Sequence, residues 1–157
     1  LSLMYLSITV ITKAYINSKF EDALLRQNKQ FYQVKTYPIL PTNLLWLGVS
    51  KTTDGYWLGY YYLLKDDSIT FQYIPRNEYL IVDFDHLERI KNMKRFSKGF
   101  YSLKKIDENT IEFYDLRFGQ FGIEPSSPFV FTFTIDIIGN DILIKKKSFG
   151  DILTQSQ

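Results

Sequence analysis

Hydrophobic and polar positions change period twice along the chain. Leu3, Leu6, Val10, Ala14, Ile16 and Phe20 form a broad stripe at helical spacing, and Ala23, Leu24 and Leu25 continue it, predicting a helix to about Asn28. From Phe31 the period falls to two. Phe31, Gln33, Lys35 and Tyr37 alternate with Tyr32, Val34 and Thr36, and Pro38 and Pro41 end the pattern, as expected of a strand entering a turn. An apolar run at 44–50 is followed by Thr53-Asp54-Gly55, a hairpin signal in which Asp-Gly supplies positive φ angles, and by a return run at 56–64. Lys65-Asp66-Asp67 makes the next turn, and residues 69–74 alternate again before Pro75. Sequential strands with tight connections predict an antiparallel meander.

The period then returns to the helical value. Leu87, Ile90, Met93 and Phe96 give a second helix one apolar face, with Asp83 or Asp85 as its N-cap and Gly99 as its C-cap. Strands resume at 100–106, 110–118, 129–138 and 142–147, separated by Asp107-Glu108-Asn109, a Gly- and Pro-containing loop at 119–128, and Gly139-Asn140-Asp141. Lys145, Lys146 and Lys147 mark a sheet edge, where lysine discourages unwanted strand pairing, and a polar tail follows. The expected fold is α+β: an N-terminal helix plus a strongly curved, mainly antiparallel sheet of about eight strands, with a second helix between two strand groups. Residues 1–30 form the N-terminal helix and juxtamembrane segment, and 31–157 a single α+β domain.

Composition narrows the function classes. A chain of 157 residues with 45% hydrophobic content can bury a real core. Its 12 Tyr and 13 Phe tilt it toward sheet structure, on which rings pack well. A net charge of +2 gives no field for a nucleic-acid partner. With no cysteine, thiol nucleophiles, disulfides and thiolate metal sites are excluded.

Residues 1–16 carry no charge before Lys13, which allows two readings. The segment is too short to span a bilayer by itself, since a spanning helix needs about 20 apolar residues. It is either the end of a membrane-spanning helix or a helix packed on the domain's own sheet. Lys13, Lys19, Arg26 and Lys29 outnumber Glu21 and Asp22 after it, which favours a cytoplasmic side for the membrane reading.

Candidate chemistry is sparse. His86 is the only histidine, so it builds no multi-histidine metal site, and its place near a helix start suits a surface residue. No nucleophile elbow, phosphate loop or dinucleotide fingerprint is present. In Asp115-Leu116-Arg117-Phe118-Gly119, a strand would place Asp115, Arg117 and Gly119 on one face and Leu116 and Phe118 on the other. Two readings follow. Arg117 binds an anionic group that Asp115 orients, with Arg95 and Trp46 completing a pocket for a small or lipid-derived ligand, or the two charges form an ion pair that fixes the end of the strand. Trp46, Trp57 and Tyr56, Tyr60, Tyr61 and Tyr62 put aromatics on both faces of the first hairpin, as expected where both faces are covered.

Several segments together resemble one family. Pro41-Thr42-Asn43-Leu44-Leu45-Trp46, the Asp54-Gly55-Tyr56 hairpin, Gly59-Tyr60-Tyr61, Arg95-Phe96-Ser97-Lys98-Gly99-Phe100-Tyr101 and Asp115-Leu116-Arg117-Phe118-Gly119 are similar, in order and spacing, to the region after the membrane helices in the bacterial YdjM-like inner-membrane proteins. The resemblance implies a membrane-bound, metal-dependent hydrolase of the inner membrane. The family's histidine motif, and any divalent metal, would lie in a membrane portion upstream of Leu1. No catalytic residue and no metal ligand is then expected in this stretch, which would be an accessory domain with a membrane partner and a small-molecule or protein partner besides.

Overall fold

A computed structural model describes residues 2–39, 44–65 and 68–154, and side chains from residue 7 onward apart from that of residue 153. Pro41 to Asn43 and the Asp66-Asp67 turn lie outside the described residues, as do Leu1 and residues 155–157. The side chains of Leu3 and Leu6 lie outside them too. The fold class is α+β. The chain divides into two compact units, Leu1–Tyr73 and Ile74–Gln157.

The first unit opens with α1 (Ser2–Arg26), a single 25-residue helix. It leads into β1 (Gln33–Ile39), β2 (Leu45–Lys51), β3 (Gly55–Tyr62) and β4 (Phe71–Pro75), which lie side by side in sequence order. β1 runs through Pro38 instead of ending there. Pro38 pairs with Trp46 on β1, which is an edge strand of the sheet, where proline is tolerated. The β2–β3 turn closes with the Thr52 N–H donating to the Gly55 carbonyl at 2.9 Å. Neither Asp54 nor Gly55 adopts a positive φ, so the turn differs from the one the Asp-Gly pair suggested.

The second half of α1 packs on this sheet. Ile16, Phe20 and Ala23 are buried there with Trp46, Tyr61 and Ile69. Gly48 and Gly59 face each other across β2 and β3. A Cβ at Gly48 would overlap the Phe20 ring, so the missing side chain is what lets the ring lie on the strand. Phe20 then meets Tyr61 and Phe71 edge-on, with ring centroids 6.4 and 6.2 Å away. Leu47, Val49, Tyr56 and Leu58, on the opposite face, are buried as well, so both faces of the hairpin are covered. The first half of α1 differs. Ile8, Val10 and Ile11 are 56%, 67% and 67% exposed. No helix among the described residues is long and apolar enough to cross a membrane.

The second unit begins with a 3-10 helix (Glu78–Phe84) and α2 (Glu88–Phe96), followed by β5 (Tyr101–Lys105), β6 (Thr110–Asp115), β7 (Thr132–Ile138) and β8 (Asp141–Lys146) in a four-stranded antiparallel sheet. The eight strands therefore form two sheets of four. Alternation identifies strands, but it does not say which edges pair. Ile81 and Ile90, from the two helices, pack with Leu103, Ile111, Phe113 and Ile135 of the sheet to make the core of this unit.

Neither Asp83 nor Asp85 caps α2. The N-cap is Leu87, with no side-chain bond, because the 3-10 helix takes up the residues before it. Asp85 instead accepts from Lys94 Nζ at 2.8 Å. Lys94 also donates to Glu78 Oε1 at 2.7 Å, and the Tyr101 hydroxyl donates to the same oxygen at 2.7 Å. At the other end of α2, the Gly99 N–H bonds the Lys94 carbonyl and the Lys98 N–H the Arg95 carbonyl. This is a Schellman closure with Lys98, at φ 52°, where glycine is usual, and Gly99, at φ 73°, one residue later than a simple C-cap. A short helix, α3 (Phe149–Thr154), follows β8, and the rest of the polar tail expected at 153–157 lies outside the described residues. Ser148 and Asp151 start α3 by reciprocal bonding: the Ser148 hydroxyl accepts from the Asp151 N–H, and Asp151 Oδ2 accepts from the Ser148 N–H.

Candidate functional site

β6 ends at Asp115, not at Phe118. The Asp115 carboxylate accepts the Arg117 N–H at 3.2 Å, which pulls Leu116–Phe118 into a 3-10 turn, and Gly119 leaves it at φ 69°. The one-face, other-face arrangement of an extended strand is thus replaced by a local clamp. Arg117 Nε donates to Asp115 Oδ1 at 2.9 Å and Nη2 to Oδ2 at 2.6 Å, a bidentate pair. Asp115 is fully buried and the Arg117 side chain is 13% exposed. Nη2 also donates to the Phe96 carbonyl at 2.7 Å, so the guanidinium satisfies one of the last carbonyls of α2.

The guanidinium lies 5.4 Å from the centroids of both the Phe96 and Phe118 rings. Phe118 stacks on Phe131 at 4.2 Å, and Phe96 meets Phe133 edge-on at 6.5 Å. Asn92, Met93, Phe96, Phe113 and Phe133 line an almost wholly apolar cavity of about 300 Å³. The segments at 95–101 and 115–119, separate in sequence, therefore meet around Arg117. Arg95 is exposed on α2 and donates to Asn92 Oδ1 at 3.2 Å. Trp46 is buried in the first unit, against α1. The structure thus brings Asp115 and Arg117 together, next to the residue that follows Arg95, while Trp46 belongs to a different core.

A second constellation lies on the opposite face of β6, where Glu112 and Tyr114 alternate with the core residues Ile111 and Phe113. Glu112 Oε1 is ion-paired with Lys147 Nζ, and both side chains are nearly buried. The Tyr114 hydroxyl donates to Glu112 Oε2 at 2.5 Å. Burial, and after it the hydrogen bond to the Glu112 carboxylate, pushes the Tyr114 hydroxyl well above the usual phenol range, so it stays a neutral donor. Tyr114 stacks on Phe129 at 4.7 Å. Around these groups Lys104, Ser126, Ser127, Pro128 and Ile152 close a cleft of about 300 Å³. The loop over it is pinned by Gln120 Nε2, which donates to the Ser127 carbonyl at 2.6 Å.

This cleft was not legible in the sequence. Glu112 read as the polar half of a strand alternation, and Lys147 as an edge lysine. Lys147 instead turns inward just beyond β8, its N–H bonding the Thr132 carbonyl. A charged residue after a strand gives no local sign of which way it turns.

Among the described residues, no group of three or more His, Cys, Asp or Glu comes together as metal ligands. Comparison of the chain with protein-family models, with curated proteins and with solved structures finds no match.

Proposed function

We propose that this chain is an accessory domain of a membrane-bound, metal-dependent hydrolase of the YdjM-like kind, held at the cytoplasmic face of the bacterial inner membrane by α1. The observation that carries this reading is the division of α1 into two halves. Ile16, Phe20 and Ala23 are packed on the first sheet, while Ile8, Val10 and Ile11 present apolar surface to solvent one to two turns earlier. A helix that leaves its own core with large apolar side chains outward has a surface suited to lipid. Lys13, Lys19 and Arg26 follow that surface and suit an anionic headgroup layer. The likeness of the segments around Trp46, Phe96 and Arg117 to the family supports the hydrolase assignment. In this reading the chain positions substrate or a partner, and the catalytic metal belongs to the membrane portion.

Flotation of the chain with anionic vesicles tests it. The intact chain should float with the lipid, and the variant carrying Ile8→Ser, Val10→Ser and Ile11→Ser should stay in the aqueous fraction. Robust hydrolytic turnover by the chain alone with added divalent metals would contradict the accessory role.

A further inference from the structure

We propose that the apolar cavity between α2 and the second sheet binds a small neutral aromatic molecule of one ring that carries a single hydrogen-bond acceptor. The site lies within the second unit and is independent of α1 and of the membrane reading. Asn92, Met93 and Phe96 of α2 line it with Phe113 of β6 and Phe133 of β7. Side-chain packing normally closes such a gap, since protein interiors hold few voids larger than a water molecule. Here polar contacts set the spacing. The Arg117 guanidinium is paired with Asp115 at the end of β6 and bonds the Phe96 carbonyl at the end of α2. Phe96 itself stays 52% exposed, although it belongs to the apolar face of the helix. The helix end is thus tied to the strand end by a guanidinium strut, and the last turn cannot settle onto Phe113 and Phe133 without breaking it. The cavity is therefore formed before a ligand arrives, which lowers the cost of binding.

The walls define the ligand. Phe133 meets Phe96 and Phe113 edge-on, with ring centroids 6.5 and 6.3 Å away, so neither pair is stacked face to face. An aromatic guest gains ring contacts here beyond its buried area. Met93 adds a flexible, polarizable thioether that adapts to a flat guest. An ionised ligand would lose its hydration against apolar walls with little return, so a neutral one is favoured. A volume of about 300 Å³ is at the small end for ligand pockets and suits one ring with a short substituent. Asn92 supplies the polar handle. Its Oδ1 accepts from Arg95, which leaves its amide N–H groups to donate to a carbonyl oxygen on the ligand.

NMR titration of the full chain with acetophenone, toluene and benzoate tests the proposal. Met93 is one of two methionines in the chain, so its ε-methyl signal is readily assigned and reports from the cavity wall. Acetophenone should shift that methyl saturably and bind about tenfold tighter than benzoate. Phe96→Ala removes a half-exposed wall but keeps the backbone carbonyl that Arg117 binds, and it should weaken acetophenone about fivefold, the scale of one aromatic contact. Asn92→Ala should weaken acetophenone about threefold, the scale of one neutral hydrogen bond, and leave toluene unchanged. No saturable shift at Met93 with acetophenone, benzoate binding as tightly as acetophenone, an unchanged affinity in Phe96→Ala, or an Asn92→Ala loss that is absent or equal for toluene would each overturn it. None of these results depends on whether the chain floats with vesicles.

Discussion

Asp115 and Arg117 are two residues apart, yet their pairing depends on the chain leaving the strand between them. Once Leu116–Phe118 turns, the guanidinium reaches the carboxylate in bidentate geometry and the Phe96 carbonyl at the same time. Removing one partner of such a pair leaves a buried charge without its counter-charge, a loss of about 3–5 kcal/mol. Arg117→Met should therefore lower stability by roughly that amount in urea denaturation, because Asp115 is fully buried. A loss within 0.5 kcal/mol would show the pair to be dispensable. Arg117→Lys should rescue little of the loss, since an ammonium lacks the two-pronged geometry. The pairing was legible in the sequence as one of two readings. Its mechanism was not, because alternation through Phe118 disguised the turn that Asp115 and Gly119 make.

At the scale of elements, α2 is held from both ends. Its last turn closes through Lys98 at φ 52°, a conformation that glycine adopts at lower cost. Lys98→Gly should raise stability by about 0.5–1 kcal/mol, seen as a higher urea midpoint at unchanged slope. A lower midpoint would mean that the lysine side chain matters more than the backbone. Lys94 ties α2 to the preceding 3-10 helix through Glu78 and Asp85. Hydrogen bonds from Lys94 and Tyr101 hold Glu78 below the ordinary carboxylate range. Burial alone would lower Lys94, but its bonds to Asp85 and Glu78 outweigh that and raise it. A depressed acid contributes stability above its unfolded pKa of about 4.5 and loses it as pH falls through the folded value, whereas a raised lysine contributes below about 10.5 and loses it as pH rises further. Glu78→Gln should thus be less stable than the parent at pH 7, and the gap should narrow as pH drops below about 4.5. A gap constant from pH 7 to pH 3 would contradict the network. The apolar face of α2 was readable from Leu87, Ile90, Met93 and Phe96. Its start was not, since an acidic residue before a helix caps it only when the chain enters at the right angle, and here a 3-10 helix intervenes.

For the whole molecule, the sequence carried the strand count and the α+β class, because alternation and turn residues are local signals. It did not carry the partition into two sheets of four or the two compact units, which depend on which strand edges meet. It carried part of α1 as well. The stripe through Ile16 and Phe20 is buried, whereas Val10 of the same stripe is exposed, and only the structure separates the packed residues from the exposed ones. That separation underlies the proposed attachment to a membrane. The chain has no cysteine, so Ile11→Cys gives a single attachment point for a polarity-sensitive fluorophore on the exposed half. On adding anionic vesicles its emission should shift to the blue and become shielded from an aqueous quencher, while a label at exposed Lys104→Cys in the second unit should not change. Emission and quenching at Ile11→Cys that stay the same with and without vesicles would contradict the membrane attachment directly.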